Sequence, residues 1–302
     1  MANISESRVW LITGASSGLG LALVEAVLAK GERAVATVRN PTALADLQAK
    51  YPDTQLLVVT LDVTNAEQIA ETFKTVETHF HRLDVVVNNA GYGLSGEIEA
   101  VPDDKARHQI ETLFWGPVNI TKQAIPFFRD VNPKGHGGRI LNVTSVGGYS
   151  GNQTLAYYSA GKFALEGFTE SFTKEMRPEW NIKGIIIEPG GFATKWATSG
   201  MVVVPQPPAY EGDSPSNKFR AMAKGAGAIG DVAKAAQAMI LIAGEPDPPL
   251  RLQLGTDSWG IVQYKANATL KDQEKWATVS HGTNLDGYGP EILEKLKVIL
   301  GG

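Results

Sequence analysis

The sequence predicts an α/β protein in which helices cover both faces of a doubly wound parallel sheet. Short β-branched runs alternate with longer amphipathic stretches along most of the chain. Each run is apolar almost throughout, which is typical of strands buried on both faces. Regular alternation of such strands with helices favours a parallel sheet, because each parallel pair needs a crossover connection.

The strands are predicted in chain order from their apolar runs, of which RVWLIT at 8–13 is the first. The complete set of predicted strands is 8–13, 33–38, 55–61, 84–89, 138–144, 183–189 and 250–255. Helices are predicted between them because apolar residues recur there at helical spacing. The predicted helices are 18–30, 41–50, 65–81, 103–129, 155–178 and 230–244.

A chain of 302 residues is long enough for one large α/β domain. We predict a single domain over residues 1–256. Within it, residues 191–229 are rich in proline and glycine and are predicted to form a substrate lid. Residues 257–302 are mostly helical and polar in pattern, with a break at DGYGP, and are predicted to be a helical extension packed on the same domain.

The composition excludes several classes of function. A net charge of only −4 with scattered lysine and arginine gives no electrostatic case for nucleic acid or an anionic membrane. The chain has no cysteine and its five histidines never fall at metal-ligand spacing, so we expect no metal site. Its apolar runs are too short to span a bilayer, and its start does not resemble a secretory signal. We therefore expect a cytoplasmic protein with no membrane span.

A glycine-rich turn, TGASSGLG at 13–20, follows the first predicted strand and opens the first helix. Gly14, Gly18 and Gly20 lack a Cβ, so the backbone can approach a pyrophosphate closely. The start of the helix offers free N–H groups and a partial positive charge. Such a turn alone is weak evidence, but its position after the first strand of an alternating chain predicts a dinucleotide site.

The end of the second strand indicates which dinucleotide is bound. NAD(H) sites usually place an acidic residue there to bind the ribose, whereas a 2′-phosphate favours arginine. Here the chain has Arg39 and no acid. We therefore predict NADP(H), the alternative being that Arg39 is only a solvated loop cation.

The stretch AYYSAGK at 156–162 contains a candidate acid/base pair. Tyr158 and Lys162 are four residues apart on a predicted helix and face the same way, whereas Tyr157 is five from the lysine and should point into packing. A nearby ammonium is expected to lower the tyrosine pKa toward the working range. Ser145 ends the preceding strand and offers a second hydroxyl. Together with the glycine turn, these residues predict reversible hydride transfer at a carbonyl or alcohol.

With these motifs in order, the chain from about residue 8 to 255 resembles the short-chain dehydrogenase/reductase family. The resemblance implies a Rossmann-type fold and assigns Ser145, Tyr158 and Lys162 as catalytic residues, with Tyr158 and Lys162 also touching the cofactor. It also implies a set of cofactor-binding residues in TGASSGLG, LDVT, NNAG and PGGFAT. Besides Arg39, that set is Gly14, Ser16, Ser17, Gly18, Leu19, Gly20, Asp62, Val63, Asn89, Ala90, Gly91, Pro189, Gly190, Phe192 and Thr194.

The chain departs from the family pattern at Leu113. Family members usually carry a catalytic Asn in an N-x-x-G pattern, and aligning Gly116 places Leu113 at that position. In the family that Asn holds a water that links the lysine to solvent. Either water reaches Lys162 by another path and the protein reduces carbonyls, or the fold serves a non-redox reaction (an isomerase or cyclase) or a regulatory NADP(H)-binding role. We favour the first alternative because Ser145, Tyr158 and Lys162 are all present.

The predicted substrate is a small lipophilic carbonyl or alcohol. Tyr149, Phe192, Trp196 and Met201 would line its site, which suits an apolar and cyclic molecule. The resemblance points to retinoid, steroid or secondary-metabolite chemistry. It also implies a possible homodimer through the helices at 103–129 and 155–178.

Overall fold

A parallel sheet lies at the centre of the computed structural model. The structure describes residues 7–197, 200–225, 227–289 and 291–300, whose strands are β1 Val9–Thr13, β2 Arg33–Val38, β3 Leu56–Thr60, β4 Val85–Asn88, β5 Gly93–Ser95, β6 Gly138–Val143, β7 Ile182–Pro189, β8 Met201–Val203 and β9 Arg251–Leu254. Seven of these strands pair in the order β3-β2-β1-β4-β6-β7-β9, and β5 pairs with β8 in a separate small sheet. Every predicted strand is confirmed, whereas β5 and β8 were not predicted.

Helices cover both faces of the large sheet, as predicted. They are α1 Gly18–Ala29, α2 Ala45–Gln48, α3 Ala66–Phe80, α4 Asp103–Ile110, α5 Gly116–Pro126, α6 Ala156–Glu175, α7 Pro215–Gly225, α8 Val232–Ile242, α9 Thr256–His281 and α10 Ile292–Leu300. Helix α2 continues a 3₁₀ turn at Pro41–Leu44, so the segment predicted as a helix at 41–50 is shorter and less regular than expected.

The core lies on the two faces of the sheet. Along β1, Trp10 and Ile12 pack with α1 and α8 on one face, while Val9 and Leu11 pack on the other, in the cluster that includes α3 and α5. Alternate residues of a strand point to opposite faces, so a strand covered on both sides is apolar throughout. The apolar pattern of β1 is therefore unbroken because both of its faces are covered, as the sequence predicted.

The helix predicted at 103–129 is interrupted by two π-helical turns, Glu111–Trp115 and Phe127–Val131. A π turn inserts one extra residue into a helix and is frequent at functional sites. The first π turn carries Leu113, the residue at which the chain departs from the family pattern. A hydrophobic periodicity of 3.6 residues does not reveal such an insertion, so the interruption was missed.

The lid predicted at 191–229 contains β8 and α7. Its two ends meet where the N–H of Gly230 donates to the carbonyl oxygen of Gly191, with a distance of 2.9 Å between the heavy atoms. Arg220 of α7 forms an ion pair of 2.8 Å with the buried Glu97. The segment is thus held at its base and at α7, and its role as a substrate lid stays a prediction.

The chain forms two compact units, of which the first ends at Trp259 and holds both sheets, and the second begins at Gly260. The second unit contains the rest of α9 and α10, with the predicted break between His281 and Ile292. The packing of this extension on the domain stays a prediction. In the part of the chain that is described, no helix combines the length and apolarity that crossing a bilayer requires.

Candidate active site

The glycine turn lies at the carboxyl end of β1, beside the point where the strand order reverses between β1 and β4. Gly14 and Gly18 have φ angles of +65° and +57°, a backbone region that favours glycine. An ideal Cβ on Gly20 would lie 2.5 Å from both the Gly14 carbonyl oxygen and the Asn89 side chain. Crevices at such reversal points are where open α/β sheets bind ligands.

Thr13 joins the glycine turn to the NNAG segment. Its hydroxyl oxygen accepts hydrogen bonds of 3.0 Å from the backbone N–H groups of Asn89 and Ala90. The Asn89 side chain in turn donates to the carbonyl oxygen of Thr13 at 2.9 Å. The structure therefore brings together two segments that the sequence predicted separately as cofactor-binding.

The start of α1 fits a pyrophosphate. No side chain caps the helix at Ser17, and its first turn holds no acidic residue that would repel an anion. Ser16 and Ser17 are exposed, and Thr194 lies close enough to Gly18 that an added Cβ would be 3.3 Å from its side chain. Leu19 is half-buried against the core.

Arg39 and Asp62 lie at the ends of β2 and β3. Arg39 is exposed directly after β2. Burial raises the pKa of Asp62, but hydrogen bonds from Thr64 and the charge of Arg39 outweigh it, so the pKa lies below its ordinary value. Val63 is buried in the core, and an ideal Cβ on Gly116 would be 2.9 Å from its carbonyl oxygen. This edge therefore carries one exposed cation, Arg39, and one carboxylate, Asp62.

Tyr158 is the buried tyrosine at the start of α6. Burial raises the pKa of its phenol to about 12, and a hydrogen bond with Ser145 opposes that rise. The expectation that Lys162 lowers this pKa toward neutrality is wrong for the ligand-free protein. Loss of solvation dominates, and the lysine Nζ lies 5.8 Å from the centre of the tyrosine ring.

Tyr157 points away from this site, as predicted. Its ring packs against the small cluster of Leu94, Val101, Ala106 and Val204, and its hydroxyl donates to the carbonyl oxygen of Ile98 at 3.5 Å. Of the two tyrosines, Tyr158 is the one whose ring lies near the Lys162 ammonium, as the helical spacing predicted.

Lys162 is buried one turn after Tyr158. Its Nζ donates a hydrogen bond of 2.7 Å to the carbonyl oxygen of Val143, at the end of β6. Burial lowers the pKa of Lys162 to about 8, while the nearby Glu166 carboxyl opposes the fall. An ammonium with such a pKa is charged at neutral pH and begins to lose its proton in mild alkali.

Leu113 fills the space beside Lys162. It is completely buried, and an ideal Cβ on Gly91 would lie 2.9 Å from its Cδ2 and 3.8 Å from Nζ of Lys162. On its other side it packs against Gly161, where an added Cβ would be 3.1 Å away. An apolar side chain therefore lies near the ammonium, at the position where the resemblance implies an asparagine.

An apolar cluster covers the tyrosine. Leu113, Leu155 and Tyr158 pack with Trp196, Met201 and Phe219. The rings of Tyr158 and Trp196 have centres 5.2 Å apart. Leu155 and Phe219 were not predicted, although the amphipathic pattern of α7 was a usable signal for Phe219.

The other two predicted substrate residues lie elsewhere. Phe192 forms a bridge with Gly230 and packs against the core cluster of α1 and α8. Tyr149 is half-buried after the 3₁₀ turn Val146–Gly148. Neither joins the cluster around Tyr158, so their assignment as substrate residues remains a prediction.

Residues that follow later in the chain, at the end of β9 and the start of α9, hydrogen-bond to the backbone at Gly190 and Gly191. The N–H of Gly190 donates to the carbonyl oxygen of Leu254 at 2.9 Å, and the N–H of Gly191 donates to the Asp257 carboxylate at 2.6 Å. Asp257 was missed because it follows the last strand, where only an extension was expected.

The arrangement suits proton transfer at a carbonyl oxygen. Ser145 and Tyr158 place two hydrogen-bonded hydroxyl groups at the end of β6, and a buried cation lies one helical turn away. Two such donors can bind one oxygen, and the cation stabilises negative charge that develops on the phenol.

Comparisons with known proteins agree with the fold. Residues 8–200 match the family described as short chain dehydrogenase. An uncharacterized oxidoreductase of Schizosaccharomyces pombe is 37% identical over 287 residues, 95% of each chain. A 3-ketodihydrosphingosine reductase of Bacteroides thetaiotaomicron is 34% identical over 189 residues, 63% of this chain and 65% of that protein.

Among solved structures, a short-chain dehydrogenase from Streptomyces avermitilis is similar along nearly the whole chain. Its TM-score is 0.84 at 35% identity, over 92% of this chain and 99% of that one. The family match covers more than half of the 302 residues and spans the glycine turn, Ser145, Tyr158 and Lys162. The chain belongs to the short-chain dehydrogenase family of oxidoreductases.

Proposed function

We propose that the protein is an NADP(H)-dependent oxidoreductase that interconverts a ketone and a secondary alcohol on a lipophilic, cyclic substrate. The observation that carries this proposal is the buried Tyr158, hydrogen-bonded to Ser145 and one turn from the Lys162 ammonium. The proposal is also supported by the position of Lys162 near Gly91, in the NNAG segment that hydrogen-bonds to Thr13 at the end of β1.

When bound, the cofactor supplies or accepts the hydride at the substrate carbon. In the reducing direction the phenol of Tyr158 gives its proton to the carbonyl oxygen, which becomes the alcohol. Ser145 donates a hydrogen bond to the same oxygen. The positive charge of Lys162 stabilises the phenolate left behind, which then regains a proton from solvent. Oxidation reverses each of these steps.

NADP(H) is proposed rather than NAD(H) because the end of β2 offers a cation. Arg39 is exposed, whereas the two residues before it, Thr37 and Val38, are buried and carry no charge. An exposed guanidinium can bind a 2′-phosphate through two parallel hydrogen bonds. An acidic residue, which would repel that phosphate, is absent from this position in the sequence.

The lining of the site supports an apolar substrate. Trp196, Met201 and Phe219 surround Tyr158 with apolar atoms. A sugar or a hydroxy acid would leave its polar groups unpaired there. The Bacteroides relative is named for a ketone, 3-ketodihydrosphingosine, which is consistent with a lipophilic carbonyl substrate.

We also propose that two copies of the chain pair through the segments 103–129 and 155–178. Trp115 and Phe163 lie on these segments with 46% and 45% of their surfaces exposed. Large aromatic residues at this exposure are typical of interface positions. The cytoplasm is the proposed location, because a chain without cysteine suits a reducing compartment.

A second candidate function is a non-redox reaction or a regulatory role that still uses bound NADP(H). The buried Leu113 beside Lys162 favours it, since an apolar side chain there interrupts the usual water path to the lysine. The two candidates differ in whether the cofactor is consumed.

Cofactor consumption by the purified protein tests the proposal. NADPH oxidation is followed against a panel of cyclic and open-chain apolar ketones, with NADH as the matched control. We expect NADPH consumption with at least one ketone. NADPH binding without consumption across the panel would support the non-redox candidate instead.

A further inference from the structure

Two carboxyl groups are buried together behind the catalytic lysine. Glu166 lies on α6 one turn after Lys162, and Glu188 lies near the end of β7. Their side chains are 5% and 0% exposed. Two ionised carboxylates so deeply buried would each need donors or cations, and would repel one another.

The donors available to the pair are too few for two ionised groups. Gln253 donates to Oε2 of Glu188, and the Thr144 hydroxyl lies 3.1 Å from Oε1 of Glu166. No N–H or O–H group in the described ranges donates to Oε1 of Glu188. One carboxylate oxygen is therefore left without a conventional donor.

A proton on Glu166 resolves this shortage. The two carboxyl groups lie within hydrogen-bond reach of each other. Ionised carboxylates only accept hydrogen bonds, so a bond between two such groups requires that one carries a proton. Glu166 is then the donor and Glu188 the acceptor.

The charges around the pair are consistent with one bound proton. Nε of Arg251 lies 3.5 Å from Oε2 of Glu166 and 3.6 Å from Oε1 of Glu188. The same guanidinium also forms an ion pair of 3.1 Å with Glu170, so its single charge is too little for a pair that holds two negative charges. The charged or titratable groups facing Glu166 are Lys162 and Glu170 on α6, Glu188 on β7 and Arg251 on β9.

Glu166 is adjacent to Lys162 as well as to the half-buried Arg251. Gly148 packs against both Glu166 and Lys162. An ideal Cβ on Gly148 would overlap Oε1 of Glu166 and lie 3.2 Å from Cβ of Lys162. Residues four apart on a helix are neighbours. A change of charge on Glu166 therefore acts on the Lys162 ammonium through a short, buried path.

We propose that Glu166 and Glu188 are positioning residues that share one proton behind Lys162, and that ionisation of Glu166 keeps the Lys162 ammonium charged as the medium becomes alkaline. The shared proton is a property of the ligand-free protein. The consequence for turnover rests on the proposed function.

The directions of the pKa shifts agree with this assignment. Burial, together with the charge of Glu188, raises the pKa of Glu166 to about 8. Burial lowers the pKa of Lys162 to about 8 as well. Glu166 thus becomes negative in the pH range in which Lys162 begins to lose its proton, and opposes that loss.

Infrared spectroscopy of the ligand-free protein tests the shared proton. The wild type should show a protonated-carboxyl band that titrates near pH 8. The band should be absent in Glu166→Gln, because the new amide can donate a hydrogen bond to Glu188 in place of the proton. In Glu188→Gln the band should titrate at lower pH, because the charge that repels the ionised Glu166 is gone. Glu175→Gln, which changes an exposed carboxylate at the end of the same helix, should match the wild type. A wild type without the band, or an unchanged band in Glu166→Gln, would overturn the shared proton.

NMR of the ligand-free protein tests the coupling to Lys162. The Cε signal, assigned by its loss in Lys162→Met, should titrate about 0.5 to 1 pH unit lower in Glu166→Gln and should move to higher pH in Glu188→Gln. Titrations at the same pH in all variants would overturn the coupling, even if the infrared result holds.

The same variants connect the pair to turnover. The alkaline limb of the kcat profile should move in the same two opposite directions that we expect for the Lys162 signal, with little change in KM. The profile of Glu175→Gln should match that of the wild type. If the variants are active and their pH profiles of kcat coincide with that of the wild type, Glu166 and Glu188 have no role in turnover. If the wild type reduces no ketone, the proposed function fails. The infrared and NMR measurements still decide whether Glu166 and Glu188 share a proton and whether it is coupled to Lys162.

Discussion

Leu113 and Lys162 both lie against Gly91, with the leucine at the position where the family resemblance implies an asparagine. An added Cβ on Gly91 would be 2.9 Å from Cδ2 of Leu113 and 3.8 Å from Nζ of Lys162. The ammonium instead donates to the carbonyl oxygen of Val143. Proton exchange between Lys162 and solvent therefore has to avoid the side occupied by Leu113.

A polar residue at position 113 is expected to speed up turnover. Leu113→Asn should raise kcat for ketone reduction by about tenfold, because the amide can hold a water next to Lys162. Burying the amide should lower the free energy of unfolding by about 1–3 kcal/mol. Leu113→Ala is the matched control, since it opens space without adding a donor. An equal gain in both variants would show that space, and not polarity, limits the rate.

Stability is expected to depend on pH through Glu166. Its ordinary pKa of 4.5 is raised to about 8 in the folded protein, so the folded state holds the proton more tightly. The resulting stabilisation is complete below about pH 4.5 and is lost as pH rises through about 8. Glu166→Gln has no proton to lose, so its Tm should fall several degrees less than that of the wild type between pH 5 and pH 8.

Glu170→Gln serves as the control for that measurement. Glu170 hydrogen-bonds to Lys174 and Arg251, which lower its pKa, so its contribution to stability changes with the opposite sign. Parallel Tm curves for Glu166→Gln and wild type would show that Glu166 is already ionised at neutral pH.

Arg39 is expected to select NADPH over NADH. Arg39→Ala should weaken NADPH binding about tenfold, or about 1.4 kcal/mol, and leave NADH binding nearly unchanged. Calorimetric titration with both cofactors measures this difference. An equal loss for the two cofactors would mean that Arg39 does not recognise the 2′-phosphate.

Phe163 is expected to lie in a subunit interface. Phe163→Glu should shift the protein to a smaller species in analytical ultracentrifugation, because it buries a charge in an apolar contact. Leu241→Glu is the control, since Leu241 is 68% exposed on α8, outside the proposed interface. If Phe163→Glu sediments like the wild type, this face does not pair.

Much of the fold was predictable because the strands are buried on both faces. The apolar run at β1 and the glycine turn after it are local signals, and both are confirmed. The pairing of Tyr158 with Lys162 followed from helical spacing alone. These features depend on residues close together in the sequence, which is why they could be predicted from it.

The remaining features depend on contacts between distant segments. Glu166, Glu188 and Arg251 come from three elements, and nothing in their separate surroundings signals a shared proton. The β5–β8 pair joins two three-residue strands, too short for a pattern. The pKa of Tyr158 was mispredicted because burial of the phenol is a property of the whole fold.

Turnover by Tyr158→Phe tests the central claim most directly. The account predicts that this variant binds NADPH with wild-type affinity but reduces the ketone about 100-fold to 10,000-fold more slowly, because the proton donor is gone. Tyr157→Phe, which removes the neighbouring hydroxyl, should retain the wild-type rate. Wild-type turnover by Tyr158→Phe would contradict the claim that this phenol transfers the proton.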